Sequence, residues 1–190
     1  MRKTSKPMTF DDIPMLTGVR YDGTRTQETV FWSRAHIFVN GDDFHDIDLD
    51  PEFQRDHVWS VKQQRAFVEY ARRGGQESLG VIFNLQARQP KGFKGNWIPR
   101  YTCIDGKQRL TAIHAFMTNK LKVFGGVTLD DLVRNSGHPF PWSDYRITVT
   151  TVQMPYDDML RFYLELNSNG TPHSDAEITK VRCMLAKITK

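Results

Sequence analysis

Features that would place this protein in a specialised class are scarce or missing in its sequence. Only two of the 190 residues are cysteines, Cys103 and Cys183, and the six histidines are scattered without metal-ligand spacing. This usage predicts reduced core cysteines rather than a disulfide or a zinc site. No apolar run approaches the length of a membrane span, and Met1-Arg2-Lys3 is not followed by a signal-peptide core. We therefore expect a cytoplasmic protein with no membrane partner.

Strong charge and familiar phosphate motifs are also absent. Lys and Arg number 26 against 22 Asp and Glu, a net charge of +4, which permits a nucleic-acid partner but does not require one. There is no Walker A motif, so a P-loop is excluded, and no HNH-type nuclease motif is visible. With 39% hydrophobic and 25% charged residues, the composition is that of an ordinary folded domain with a buried core.

The most informative stretch is Tyr101–Met117, which reads YTCIDGKQRLTAIHAFM. An apolar, β-prone run ends at Asp105-Gly106, a pair that suits a tight turn. Apolar residues then recur with helical spacing from Leu110 onward. A strand, a glycine turn and a helix start together direct free backbone N–H groups at an anion.

The turn carries three further polar side chains, Lys107, Gln108 and Arg109. Cations at a helix start oppose the helix dipole unless a negative ligand lies between them, so the pattern favours a bound phosphate. Arg109 can bind two phosphate oxygens, and Gln108 can position a water or a base edge. Asp105 could accept a proton, orient a water or hold Mg²⁺. The alternative is an ordinary surface turn. In that case Asp105 serves only to form the turn, and the basic residues face water.

Before this stretch the sequence predicts an arm and the first strands. Residues 1–29 are polar and interrupted by proline and glycine, which indicates an extended arm before a single domain over residues 30–190. Ile37-Phe38-Val39 predicts a strand that ends at a turn. Asp42–Asp50 holds five acidic residues in nine, interleaved with apolar ones as in a half-buried strand; a metal-binding loop is the alternative.

The remaining pattern predicts helices and strands in succession. Ser60 and Gln63 form a capping box before a helix that ends at Gly74-Gly75. Leu79–Leu85 is nearly all apolar, which suits a central strand beside the Tyr101 strand. Later elements are expected as a helix from Thr128 to Asn135, a strand from Tyr145 to Met154, and helices over Asp157–Leu166 and Asp175–Lys187, the last capped by Ser174.

Gln54 and Arg55 could form the wall of a ligand site. They follow Phe53 in an extended segment, and a Gln-Arg pair beside large apolar groups suggests such a wall. The alternative is that Arg55 pairs with a neighbouring aspartate on the surface. His57 is a candidate proton carrier in the same segment.

Two other segments could bind anions. Asn167, Gly170 and Thr171 precede the last helix, a second helix start suited to an anion, unless they serve in capping alone. A basic loop that carries an aromatic pair is the candidate nucleic-acid contact, through Arg88, Lys91, Lys94 and Arg100.

Three motifs in order resemble the N-terminal domain of GmrSD-type modification-dependent restriction systems. The segment 50–60, DPEFQRDHVWS, is similar to the family's P-x-(F/Y)-Q-R-x-x-V-W motif, and IDGKQRLTAI is similar to its D-G-Q-Q-R signature. The segment 166–174, LNSNGTPHS, is similar to L-N-x-x-G-x-P-(L)-S. Lys107 stands where the family usually has Gln. The resemblance implies an α+β fold of the ParB/sulfiredoxin-like superfamily: a small mixed sheet packed with helices, and a helical C-terminal part.

The resemblance also implies a function in DNA metabolism or phage-host restriction. By position, Asp105, Gly106, Gln108 and Arg109 match the signature, and Arg55 belongs to the upstream motif with Gln54. The family is associated with binding and hydrolysis of nucleoside triphosphates, so Asp105 would manage a water or Mg²⁺ while the arginines take up phosphate charge. Lys107 would join the nucleotide-binding residues.

The partners implied are a nucleotide with Mg²⁺, DNA, and a nuclease or another restriction-system subunit. Two alternatives remain open. One is a non-catalytic DNA- or protein-binding module, and the other is a DNA-nicking nuclease of the ParB-like type.

Overall fold

The structure is a computed structural model that describes residues 25–40, 47–54, 58–75, 80–85, 101–137, 145–168 and 175–188. Its contacts divide the chain into two units, a larger one that ends at Met154 and a smaller one whose described residues begin at Pro155. No helix among the described residues is long and apolar enough to cross a membrane.

The larger unit contains a mixed β-sheet and five helices among its described residues. Its elements are β1 (Thr26–Phe31), α1 (Trp32–Ala35), α2 (Ile37–Asn40), β2 (Ile47–Asp48), α3 (Val61–Arg72), β3 (Gly80–Leu85), β4 (Tyr101–Asp105), α4 (Lys107–Met117), α5 (Leu129–Ser136) and β5 (Arg146–Val152). The strand order is β1-β5-β3-β4-β2. Strands β1 and β5 pair antiparallel, as do β3 and β4, whereas β3 with β5 and β2 with β4 are parallel.

The smaller unit contributes two helices, α6 (Tyr156–Ser168) and α7 (Asp175–Ile188), which contact each other. This arrangement confirms the predicted α+β class, with a mixed sheet packed with helices and a helical C-terminal part, and it is compatible with a ParB-like fold. Residues 26–29, which we included in the polar arm, lie in β1, while residues 1–24 of that arm are not among the described ones.

Trp32 lies at the centre of the core. Its ring, 1% exposed, stacks on Phe67 of α3 with ring centroids 6.3 Å apart and meets Phe116 of α4 edge-on at 6.2 Å. The ring of Tyr145, which precedes β5, is 5.3 Å away, and the indole Nε1 donates to the Arg146 carbonyl at 3.2 Å. One aromatic side chain therefore joins α1, α3, α4 and the sheet.

The strand predicted over Ile37-Phe38-Val39 is wrong. The chain leaves β1 at Phe31 and forms two short helices, α1 and α2. Trp32, Ala35 and Phe38 are buried at three-residue spacing, which suits a helical turn better than an alternating strand. Of the predicted acidic strand over 42–50, only Ile47-Asp48 is described as a strand, paired with β4 at the sheet edge.

Most other elements confirm the prediction, because their signals are local. Helix α3 begins with the capping box of Ser60 and Gln63 and α5 with that of Thr128 and Asp131. Strand β3 is central, between β5 and β4. The predicted cap at Ser174 falls outside the described residues and stays a prediction.

Asn84 is a fully buried polar residue in the central strand. Its Nδ2 donates to the Met154 carbonyl at 3.2 Å, and its Oδ1 accepts from the Met154 N–H at 2.9 Å. The side-chain amide thus satisfies both backbone groups of the residue that ends the larger unit.

Replacing Asn84 by Ala should destabilise the fold, because both Met154 groups would lose their partners. The expected loss in the free energy of unfolding is roughly 2–6 kcal/mol at about 1–3 kcal/mol for each of the two unsatisfied buried groups. Urea unfolding followed by circular dichroism measures it. The control is Asn135→Ala at an exposed position of α5, and equal unfolding midpoints for the two variants would contradict the assignment.

Candidate functional site

The candidate site is the turn from β4 into α4, and Gly106 makes it possible. Gly106 precedes the first residue of α4 with φ +101°, in the left-handed region that favours glycine. A Cβ at this position would collide with the Val81 side chain and would stand 2.9 Å from the Val81 Cα. Gly106 is therefore required by its backbone angle and by its close approach to β3.

The Asp105 carboxylate is the anion at the start of α4. Its Oδ1 accepts from the Gly106 N–H at 2.7 Å, and its Oδ2 accepts from Arg109 Nη1 at 3.0 Å. Arg109 Nη1 also donates to the Gly80 carbonyl at 2.8 Å, so the guanidinium ties α4 to the beginning of β3. Both side chains keep partial access to solvent, with 39% of Asp105 and 27% of Arg109 exposed.

Lys107 does not face water, as it would in an ordinary surface turn. It is a buried residue, and its Nζ pairs with Asp50 Oδ1. The Asp50 side chain is 75% exposed, and its N–H donates to Asp48 Oδ1 at 2.9 Å. A mostly buried cation is thus compensated by a carboxylate that stands largely in water.

Gln54 and Gln108 join the upstream motif to this turn. Gln108 Oε1 accepts from the backbone N–H groups of Val58 and Trp59 at 3.2 and 3.1 Å. Gln54 Nε2 donates to the Cys103 carbonyl at 2.6 Å. Side chains separated by about fifty residues in the sequence therefore form one hydrogen-bonded cluster.

The structure brings together six of the predicted site residues: Gln54, Asp105, Gly106, Lys107, Gln108 and Arg109. Asn167 is on α6 of the other unit, where its Nδ2 donates to the Tyr163 carbonyl at 2.8 Å, a bond within the helix. The predicted residues that fall outside the described ranges are Arg55, His57, Arg88, Lys91, Lys94, Arg100, Gly170 and Thr171.

Two members of the cluster were not predicted, Asp50 and Cys103. Asp50 belongs to the acidic segment over 42–50, and no local signal links it to Lys107. Burial raises the pKa of the Cys103 thiol to about 12, against the opposing effect of hydrogen bonds with the Gln54 side chain and the Lys107 backbone. The thiol is therefore a neutral core group beneath the turn.

Gly106→Ala should destabilise the protein more than Gly125→Ala. Both glycines have positive φ, +101° and +84°, but a Cβ at Gly125 meets nothing within 4 Å. Strain alone costs about 1–2 kcal/mol, and the collision with Val81 should add roughly 1–3 kcal/mol at position 106. Thermal unfolding of both variants tests this difference, and matched melting temperatures would show that the close approach to Val81 is unimportant.

The two cysteines should differ in reactivity. Cys103 is buried with a raised pKa, whereas Cys183 on α7 is exposed, so the predicted core position is wrong for Cys183. Iodoacetamide at about pH 8, near the ordinary thiol pKa, should modify Cys183 within minutes and Cys103 only after unfolding. Peptide mass spectrometry of native and urea-treated protein measures both, and equal labelling in the native state would contradict the buried position of Cys103.

Comparison with known protein families found a match for this chain. Residues 36–145 match the family described as GmrSD restriction endonuclease, N-terminal domain. No curated protein matches the chain. The matched range covers more than half of the chain and contains both the Gln54 segment and the turn at Asp105, whereas the 166–174 segment lies beyond it. The chain therefore belongs to the family of GmrSD restriction endonuclease N-terminal domains, which are restriction-system domains related to DNA metabolism.

Proposed function

We propose that this domain binds a nucleoside triphosphate at the start of α4 and hydrolyses it as part of a restriction system that acts on DNA. The observation that carries the proposal is the anion already held there. A carboxylate accepts from both the Gly106 N–H and the Arg109 guanidinium, which are the donors that a phosphate oxygen would use.

The charges around the turn support the same proposal. Lys107 and Arg109 are two cations in the first turn of α4, where cations oppose the helix dipole. Their partners are Asp50 and Asp105, of which 75% and 39% of the side chain is exposed. A carboxylate that already stands in water loses little by leaving its partner, so phosphate oxygens can take its place.

Asp105 fits a role beside a metal-bound nucleotide. Among the described residues there is no cluster of three or more potential metal-ligating side chains. Mg²⁺ commonly uses one or two carboxylates together with phosphate oxygens and water, which matches a single aspartate next to a triphosphate. The ion would supply charge neutralisation on the phosphate oxygens when bound.

The protein side chains then divide into two roles. Asp105 would orient the attacking water and accept its proton, and Arg109 would neutralise charge on the phosphates. Gln54 and Gln108 would act as positioning residues, because each hydrogen bonds to backbone groups across the cluster. Arg55 follows Gln54 directly and would supply the second arginine.

A second candidate is a non-catalytic DNA- or protein-binding module. One observation favours it: Gln54, Asp105, Lys107, Gln108 and Arg109 all have protein partners. The same turn could therefore serve only to hold the upstream segment against the sheet. The DNA-nicking alternative uses the same residues, so all three functions are distinguished by variants of Asp105 and Arg109.

Phosphate release from each of the four nucleoside triphosphates should depend on Mg²⁺ and on both charged residues. Asp105→Asn and Arg109→Gln are each expected to lower kcat by about 100-fold or more, the usual effect of removing one preorganised charge-stabilising group, and EDTA should abolish release. The matched control is the ion pair of Asp157 and Arg161 on α6, also at i,i+4, with 3.1 Å between its charged atoms against 3.0 Å in the site. Asp157→Asn and Arg161→Gln should leave kcat unchanged.

Three outcomes separate the candidate functions. Wild-type protein that neither binds nor hydrolyses any of the four nucleotides would overturn the proposal and leave the binding module. Nucleotide-independent nicking of plasmid DNA that disappears in Asp105→Asn would indicate the nuclease. Equal losses in the site variants and in the α6 control variants would show a general effect on folding instead of chemistry at the turn.

A further inference from the structure

A strained aromatic residue stands at the tip of the loop between α4 and α5. The loop closes as a small hairpin: the Val123 N–H donates to the Val127 carbonyl at 2.8 Å, and the Val127 N–H donates to the Val123 carbonyl at 3.0 Å. Phe124, at the tip, has φ +45°. A bulky residue in the left-handed region is uncommon, because the Cβ is too close to the backbone there.

Contacts with α3 hold this conformation. The Phe124 N–H donates to Glu69 Oε1 at 2.6 Å, and Arg65 Nε donates to the Lys122 carbonyl at 2.9 Å. The Phe124 side chain is nevertheless 38% exposed. Glycine would adopt this φ without strain. The presence of an exposed aromatic residue here instead points to a role for its ring.

One cation lies over the ring, and others lie in the same loop and on α3. The Arg73 guanidinium carbon lies 5.7 Å from the Phe124 ring centroid, and Lys120 and Lys122 are exposed in the same loop. Arg65 lies beside the loop through its bond to Lys122, and Lys62 is one helical turn before Arg65 on α3, so it shares that side of the helix.

The carboxylates near the loop are fewer than the cations, and two of them already have partners. Glu69 accepts from the Phe124 N–H, and Asp131 caps α5 through Thr128 and pairs with Arg134 at 3.6 Å. Asp130 is exposed at the start of α5. The balance of charge around the ring is therefore positive, which suits a polyanion.

We propose that Phe124 and the cations around it form a binding surface for single-stranded DNA, with one unpaired base stacked on the Phe124 ring and phosphates bound by Arg73 and Lys122. Any base can stack on an aromatic ring, and lysine and arginine side chains bind the phosphates of the DNA backbone. Arg73 lies over the Phe124 ring, and Phe124 is only 38% exposed. We therefore expect the ring to stack on an unpaired base and not to wedge between stacked base pairs. This surface is separate from the α4 start and needs no nucleotide there.

The chain contains a matched control for this surface. Phe31 at the end of β1 is 44% exposed, and the Arg146 guanidinium carbon is 5.3 Å from its ring centroid. The pair therefore has the same chemistry as Phe124 and Arg73. Strand β1, with the sequence TQETVF, carries no lysine or arginine, so the strand that holds Phe31 adds no cation to the pair.

Fluorescence anisotropy with a labelled oligonucleotide of about 12 bases, within the usual site size for single strands, tests the ring. Phe124→Ala should weaken binding about 5- to 100-fold, the range for loss of one base–aromatic stack, whereas Phe124→Tyr and Phe31→Ala should bind like wild type. A 2-aminopurine base in the strand should change fluorescence on binding to wild type but not to Phe124→Ala. Thermal melts establish that each variant is folded.

The salt dependence of binding tests the cations. Arg73→Gln and Lys122→Gln should each reduce the slope of log K against log salt by about 0.7, the value for one lost phosphate contact on a single strand, and Arg146→Gln should leave it unchanged. Four results would each overturn the proposal: unaltered affinity in Phe124→Ala, an equal loss of affinity in Phe31→Ala, binding of duplex DNA alone, or no binding of single strands by wild type. The assay contains no nucleotide, so its result does not depend on whether the domain hydrolyses triphosphates.

Discussion

The bond between the Asp105 carboxylate and the Gly106 N–H is the interaction on which the candidate site depends. It fixes the point at which β4 stops and α4 begins, and the second oxygen of the same carboxylate holds Arg109. Arg109 in turn reaches the first residue of β3. Since α4 also packs Phe116 against Trp32, the turn is joined to the hydrophobic core. Its donors are already ordered around the carboxylate that a bound phosphate would displace.

The upstream motif and the turn behave as one structure. Gln108 satisfies two backbone N–H groups just before α3, and Gln54 satisfies the carbonyl of a β4 residue. Each of these amides bonds to backbone groups, whose positions do not depend on neighbouring side chains. Glutamine at both positions thus has a structural role that holds for a nucleotide hydrolase and for a binding module alike.

The sequence predicts the elements whose signals are local and misses contacts between distant segments. The capping box at Ser60, the glycine turn at Gly106 and the alternation of β5 each identify an element from a few neighbouring residues. The apolar run at Ile37 has no such signal, because a short run fits a strand or a helical turn equally well. The pairing of Lys107 with Asp50 spans 57 residues, and Gly125-Gly126 indicates a turn without showing that the preceding Phe124 carries the strain.

The pair of Lys107 and Asp50 links a departure from the family's usual signature to a compensating acid. A mostly buried ammonium group needs a compensating negative charge, whereas a neutral glutamine in the same place makes no such demand. A relative with glutamine at the position of Lys107 would not need an acidic residue at the position of Asp50. The two positions are therefore expected to have evolved together, with the lysine tolerated only in lineages that already carried the aspartate.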